Sequence, residues 1–246
     1  MLATWNYPRF IAHRGAGRLA PENTLAAMRT GLSHGYGMVE YDVKLSADGV
    51  PFLLHDDTLA RTTDGAGDAG SLPYASLALL DAGSWHGPSY AGEPAPSLRA
   101  VARYTLANNM PSNIEIKPSP GRERETGERV ARAAQDFWRD ASLPPLLSSF
   151  SDTALAAAAQ AAPSLPRGLL IDGEPPADWM QRAYQLGCIA VHLDDVFVRE
   201  QTVQDIHAAR LRLVVWTVND PARARVLLDW GVDAIITDAL DRIDPA

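Results

Sequence analysis

Residues 39–57 read VEYDVKLSADGVPFLLHDD, two strand-like runs separated by Ser46-Ala47-Asp48-Gly49. An Asp-Gly pair flanked by such runs predicts a β-hairpin. Side chains alternate between faces along a strand, so Glu40 and Asp42 share a face. With the turn at residues 47–48 or 48–49, pairing backwards brings His55 to about the level of these two carboxylates. The stretch thus predicts a strand, a tight return and a histidine delivered to a pair of acids, with no helix between.

Outward from this hairpin the chain alternates short apolar runs, at 9–14, 38–45, 112–117, 145–150, 167–172, 188–193, 212–218 and 233–237, with helical runs. The helical runs are 23–34, 98–109, 122–139, 151–162, 177–186, 199–210 and 221–230. Eight strands with seven intervening helices favour a (β/α)8 TIM barrel over an open sheet. The hairpin, whose return run is residues 50–57, explains the missing helix without adding a ninth stave. Helix starts are signalled by Asn23 after Pro21, by Ser97, by Ser151-Asp152 and by Asn219-Asp220-Pro221. Residues 56–96 have weak periodicity, and so long a connection is uncommon unless functional or partly disordered. An ordered lid or small subdomain is expected, because Leu72, Leu77, Leu79, Leu80 and Trp85 give it apolar residues to bury. The chain, 1–246, is expected to be one barrel domain carrying this insertion.

Apolar residues at 46% and charged residues at 21% are near globular averages. A net charge of −8 excludes the basic footprint of a nucleic-acid binder. The densest basic run, Arg122 and Arg124, is interleaved with Glu123 and Glu125 and reads as a solvated helix face. The single cysteine, Cys188, lies in the apolar run CIAVHL and reads as a buried structural thiol in a reducing compartment. MLATWNYPRFIAH lacks the pattern of a secretory signal, and no apolar run approaches the 18 or so residues that span a bilayer. A cytoplasmic protein with no stable membrane association is the expectation, and no oligomeric state is assigned.

His13 and Arg14 end the first strand, Glu40 and Asp42 lie on the second, and Glu115 and Lys117 end the strand in NIEIKP, residues 113–118. In a (β/α)8 barrel these strand ends share one mouth. Three converging carboxylates repel, and at least one takes up a proton unless a cation neutralises them. All-oxygen ligation suits one hard divalent ion, Mg2+ or Ca2+, with Mn2+ also admissible. That ion, the three carboxylates, Arg14 and Lys117 leave one positive charge, which a phosphodiester would cancel. His13 and His55, with ordinary pKa values near 6.5, suit acid and base work on a phosphoryl-transfer reaction. Ionisable residues repeated at one end of separate core strands are rarely retained for structure alone. His34 and His207, at or within helices, read as structural. His86, in the long loop, reads equally as structural or as a substrate contact. His192 and Asp194 could line the mouth without an assigned role, Trp216 either packs the core or walls the site, and Glu22 and Asn23 are expected to organise the first helix terminus.

The strings HRG (13–15), PENT (21–24), E-x-D (40–42), HD (55–56), LARTTDGAG (59–67), LDAGSW (80–85), GE (92–93), N-x-E-x-K (113–117), SSF (148–150) and WTVN (216–219) together resemble the glycerophosphodiester phosphodiesterase family. The resemblance covers essentially the whole chain. It implies a distorted (β/α)8 barrel that hydrolyses glycerophosphodiesters, such as glycerophosphocholine or glycerophosphoethanolamine, to sn-glycerol 3-phosphate and an alcohol. It implies metal ligation by Glu40, Asp42 and Glu115, acid/base roles for His13 and His55, phosphate contacts from Arg14 and Lys117, and Trp216 beside the glycerol. Residues 56–96 would be the family's insertion. The compact length and the segments PLLSSF and PRGLLID look most like cytoplasmic bacterial members associated with glycerol 3-phosphate uptake. The attacking nucleophile is either water or the neighbouring glycerol hydroxyl, the latter giving a transient cyclic phosphate. Two other readings are a barrel enzyme acting on lysophospholipids or inositol phospholipids, disfavoured by the absence of a membrane-binding segment, and a non-catalytic glycerophosphodiester sensor, for which two histidines would be superfluous.

Overall fold

In the computed structural model, which describes residues 4–245, eight parallel strands close into a barrel and a ninth is added to its rim. In chain order the strands are β1 (Phe10–Ala12), β2 (Val39–Leu45), β3 (Pro51–Leu53), β4 (Ser112–Ile116), β5 (Leu146–Ser149), β6 (Arg167–Ile171), β7 (Ala190–Asp194), β8 (Arg212–Trp216) and β9 (Ala234–Thr237). The helices are α1 (Leu25–Ser33), α2 (Tyr74–Leu77), α3 (Leu98–Ala107), α4 (Glu123–Phe137), α5 (Asp152–Ala161), α6 (Trp179–Gln185), α7 (Glu200–Ala208) and α8 (Pro221–Asp229). Each of the eight expected barrel strands and seven expected helices is present, with ends displaced by at most two residues, whereas the return strand expected over 50–57 is shorter, Pro51–Leu53.

Strand β2 decides how the site is built. All of it is buried: Val39, Tyr41, Val43 and Leu45 face outward into the helix-packed core, so Glu40, Asp42 and Lys44 face inward. Short β1 meets β2 only at Ala12 and Val39, and the upper half of the same edge of β2 pairs antiparallel with β3, Val43 opposite Leu53 and Leu45 opposite Pro51. The chain after β1 is therefore free to leave the barrel wall, and β3 takes its place. The reversal is the tight turn centred on Ala47-Asp48, one of the two placements expected: Gly49 N–H donates to the Ser46 carbonyl at 3.0 Å and Ser46 N–H to the Val50 carbonyl at 3.1 Å. Ser46 Oγ accepts from Val50 N–H at 2.9 Å and donates to Asp48, and Gly49 takes φ 76°. The loop is also clamped from α4, where Arg122 Nη1 donates to the carbonyls of Leu45 and Ser46 at 3.2 and 3.0 Å. Arg122 is thus a hairpin fastener, not part of a purely solvated face.

Two cores follow from the parity of the strands. Outward residues pack beneath the helices, whereas Ile11, Met38, Leu146, Val214, Ala234 and Ile236 fill the barrel axis. Ser97, Ser151 and Asp220 cap their helices as expected, accepting from Ala100, Ala154 and Ala222 N–H. At α1 the cap is Thr24, with Ala27 N–H at 3.1 Å, not Asn23. The insertion buries Leu59, Ala69 and Leu77 against Phe52 and Leu54, with Leu72 and Leu80 partly covered. Leu79 and Trp85 are instead 85% and 41% exposed, since Leu79 follows the end of short α2 and Trp85 spends its indole N–H on the Ala82 carbonyl. Among the described residues no helix is long and apolar enough to cross a membrane.

Helix α1 touches the segment after β1 through a glycine: a Cβ at Gly31 would lie 2.1 Å from the Gly15 carbonyl oxygen. Alanine is the better helix former by about 1 kcal/mol, yet Gly31→Ala is expected to destabilise the protein by about 1–3 kcal/mol through overpacking. Urea unfolding measures it, and a stabilised variant would show that α1 does not abut this segment.

Candidate active site

Beyond β1, residues His13–Gly15 form a single 3-10 turn in which Arg14 has φ 50° and Gly15 φ 96°. Left-handed backbone at a non-glycine residue is costly and collects at functional sites. Here it aims the Arg14 N–H at Glu40 Oε2, 3.0 Å away, and leaves the His13 and Arg14 side chains over the mouth.

Glu40, Asp42 and Glu115 present oxygens that all lie within 4.8 Å of one another. The pairing of β2 with β4 sets this, because Asp42 stands opposite Glu115. The three are 3%, 1% and 8% exposed, so desolvation is severe. Burial, then the Asp42 charge, pushes Glu40 and Glu115 well above the usual carboxylate range. Burial acts on Asp42 as well, but Arg14, Lys117 and His55 outweigh it and hold Asp42 ionised. Lys117 Nζ reaches Glu115 at 2.8 Å and Asp42 at 3.6 Å, while Arg14 Nε stands 3.5 Å from Asp42. Glu40 Oε1 is buried with no hydrogen-bond partner. An all-carboxylate cluster with one unsatisfied oxygen fits a hard divalent cation.

Each histidine spends Nδ1 on a carboxylate, which leaves Nε2 for the cavity. His13 Nδ1 lies 2.6 Å from Asp238 Oδ1, and Asp238 is in turn fixed by Asn219, which accepts from its backbone N–H at 2.8 Å. Burial alone would lower the His13 pKa, but Asp238 and Glu40 overcome it and the value is raised. His55 Nδ1 lies 2.7 Å from Asp56 Oδ1. Burial, Arg14 and Lys117 outweigh the nearby carboxylates there, and the His55 pKa is lowered.

A band of charge joins the two sides. Glu22 accepts from Arg14 at 2.7 Å and twice from Arg61 at 2.8 Å, and Arg61 also grips Asp56. Asn23 donates to Asp42 Oδ2 at 2.8 Å and accepts from the Asp42 N–H at 3.0 Å, in the left-handed conformation asparagine tolerates. Glu22 and Asn23 therefore hold the site and do not organise the helix terminus, a correction to the sequence reading. Asp238, Asn219, Asp56 and Arg61 were not singled out from sequence for chemistry. Their legible signal was position: Asp238 follows the last strand at the same barrel mouth, and Asp56 directly follows His55.

The axial cavity, about 370 Å³, is lined by His13, Arg14, Glu40, His55, Glu115 and Lys117, with Trp216 on its wall. Trp216 packs edge-on to Phe150, ring centroids 5.6 Å apart. A second, outer cavity of about 670 Å³ shares His55, Glu115, Lys117 and Phe150 and adds Asp56, Asp57 and Glu123. The remaining histidines separate. His192 lines the axial cavity, but Asp194 accepts from Val196 N–H and caps a short turn. His86 bonds the Arg18 carbonyl and lines neither cavity, His207 pairs with Asp233, and His34 ends α1. Cys188 is buried, its thiol pushed up to about 12 by desolvation.

A closed parallel barrel whose mouth gathers three acids, two histidines and two cations is the frame of a phosphoryl-transferring hydrolase. Residues 13–242 match the glycerophosphoryl diester phosphodiesterase family, and the chain belongs to that family. It is 31% identical over 232 residues to a glycerophosphodiester phosphodiesterase of Caldanaerobacter subterraneus subsp. tengcongensis, with 93% of each chain covered. An Oleispira antarctica phosphodiesterase solved in complex with the product sn-glycerol 3-phosphate superposes with TM-score 0.88 at 38% identity, covering 95% of this chain and 94% of that one. The Agrobacterium tumefaciens glycerophosphodiester phosphodiesterase superposes with TM-score 0.78 at 28% identity, covering 95% and 97%. The chain is a glycerophosphodiester phosphodiesterase.

The Asp238 carboxylate favours the imidazolium form of His13, so Asp238→Asn is expected to lower the His13 pKa. With the acid and base roles expected of the two histidines from sequence, the alkaline limb of the activity profile would follow the higher of their pKa values and move toward lower pH while the acid limb stays. An alkaline limb that does not move would show that Asp238 does not tune His13.

Proposed function

We propose that the enzyme hydrolyses glycerophosphodiesters with polar alcohol head groups, among them glycerophosphocholine and glycerophosphoethanolamine, to sn-glycerol 3-phosphate and the free alcohol. The observation that carries this reading is the axial cavity itself, lined by both histidines and both cations. Glu40, Asp42 and Glu115 would hold one divalent cation, Mg2+ or Ca2+ with Mn2+ admissible, which when bound supplies positive charge for the phosphoryl oxygens. Arg14 and Lys117 orient the phosphate and counter the charge that develops on it. Trp216 and Phe150 give hydrocarbon against which the glycerol carbons rest.

His13 borders only the axial cavity, whereas His55 borders both. The leaving alcohol belongs in the outer cavity, where the Glu123 carboxylate suits cationic heads and Asp57 is already paired with Lys44 at 2.8 Å. His55 Nε2 is therefore the proton donor to the leaving oxygen, and its depressed proton affinity makes it a better acid. His13 Nε2 takes the proton from the attacking oxygen, whether of water or of the neighbouring glycerol hydroxyl, and Asp238 makes it a better base. A small-molecule substrate, not nucleic acid, agrees with the net charge of −8. A cytoplasmic location belongs to the same proposal and rests on the family resemblance and the single buried cysteine.

A nitrophenyl glycerophosphodiester has a leaving group that needs no proton. His55→Gln is expected to lose about 10²- to 10⁴-fold on the choline diester and far less on the nitrophenyl diester, whereas His13→Gln loses on both. The reverse pattern would exchange the two roles, and full activity in both variants would refute acid/base catalysis by this pair.

A further inference from the structure

Beneath its charged rim the axial cavity ends in a neutral floor that the acid/base chemistry does not use. His192, in the middle of β7, has no exposure, and neither ring nitrogen has a hydrogen-bond partner. Asn113, 1% exposed on β4, donates to Ser148 Oγ at 3.0 Å, but its Oδ1 is unpartnered. Both residues line the cavity that holds the catalytic groups. Parity fixes the direction of the imidazole: Val191 and Leu193 pack outward beneath the helices, so His192 faces the axis. Room for the ring comes from Gly168 on β6, where a Cβ would lie 2.4 Å from His192 Nε2.

Burial pushes the His192 imidazole down to about 3, so it is neutral and offers one donor and one acceptor. Buried polar groups in native proteins are almost always hydrogen-bonded, and leaving them unpaired is costly. The neighbouring floor residues Leu170 and Ile236 are apolar, and the nearby Trp216 indole N–H is also unpartnered. Neutral donors and acceptors set over hydrocarbon match a small polyol. They do not match an anion or a cation.

We propose that His192 and Asn113 form the subsite for the free hydroxyls of the glycerol moiety, His192 giving and receiving one hydrogen bond and Asn113 Oδ1 accepting another. The proposal rests on the glycerophosphodiester reading and deepens it, for it seats glycerol in the axial cavity and the head group in the outer one. It also gives the site its selection against acylated glycerol. An ester in place of the terminal hydroxyl removes the donor that Asn113 Oδ1 needs and brings a chain the closed floor cannot take.

The test compares glycerophosphocholine with its analogue that lacks the terminal glycerol hydroxyl but keeps the one beside the phosphoester, using wild type, His192→Phe and Asn113→Leu, each checked for folding by circular dichroism. Wild type is expected to prefer glycerophosphocholine by roughly tenfold or more in kcat/KM. In either variant this preference shrinks, because turnover of glycerophosphocholine falls more than that of the analogue. Equal losses on both diesters, no loss on either, or a wild type without preference would overturn the subsite while leaving the proposed function intact. A wild type that turns over neither diester would overturn the proposed function and the subsite with it.

Discussion

Three carboxylates with almost no solvent contact, held within 4.8 Å of one another, are the constraint around which this protein is arranged. Like charges at that separation in a poorly solvated site cannot all ionise unaided. Arg14 and Lys117 reach between them, Asn23 takes both the side chain and the backbone of Asp42, and the turn after β1 gives Glu40 a backbone N–H. These arrangements keep Asp42 ionised but leave Glu40 and Glu115 with raised proton affinities. The site is thus primed for one more positive charge.

The barrel supplies the geometry that makes such a cluster tolerable. Strand parity directs apolar residues of β2 outward into the helix layer and its acids inward, and the parallel pairing with β4 sets Asp42 beside Glu115. The shortness of β1 lets β3 occupy the rim, so that His55 returns above the acids and borders both the axial and the outer cavity. In the proposed reading a diester lying across that border would have its phosphate beside Lys117, its glycerol over the neutral floor and its alcohol outside. On that reading the same topology would separate the two ends of the substrate and set a histidine at each.

Much of this was legible in the sequence because it depends on local periodicity. Alternation along β2 and β4 gave the shared faces of Glu40 with Asp42 and of Glu115 with Lys117, and eight apolar runs separated by helical ones gave the barrel. What escaped depends on contacts distant in sequence or on choices among similar side chains. Asn23 and Thr24 are both good helix caps, and only the approach of Asp42 decides that Asn23 serves the acid. Asp238 is 225 residues from His13, and no periodicity links them. Arg61 sits in an insertion without regular pattern, so its grip on Glu22 and Asp56 could not be read from spacing. The unpartnered ring of His192 is visible only once the barrel has closed around it.

Calorimetric titration of Mg2+, Ca2+ and Mn2+ into chelator-treated protein near neutral pH, repeated in two buffers of different ionisation enthalpy, tests the carboxylate cluster most directly. One site per chain is expected, with proton release on binding because Glu40 and Glu115 give up protons held by burial. Binding should raise the thermal unfolding temperature and be lost or greatly weakened in Asp42→Asn. Absence of binding by all three ions, or binding without proton release that survives Asp42→Asn unchanged, would contradict a cation-centred site.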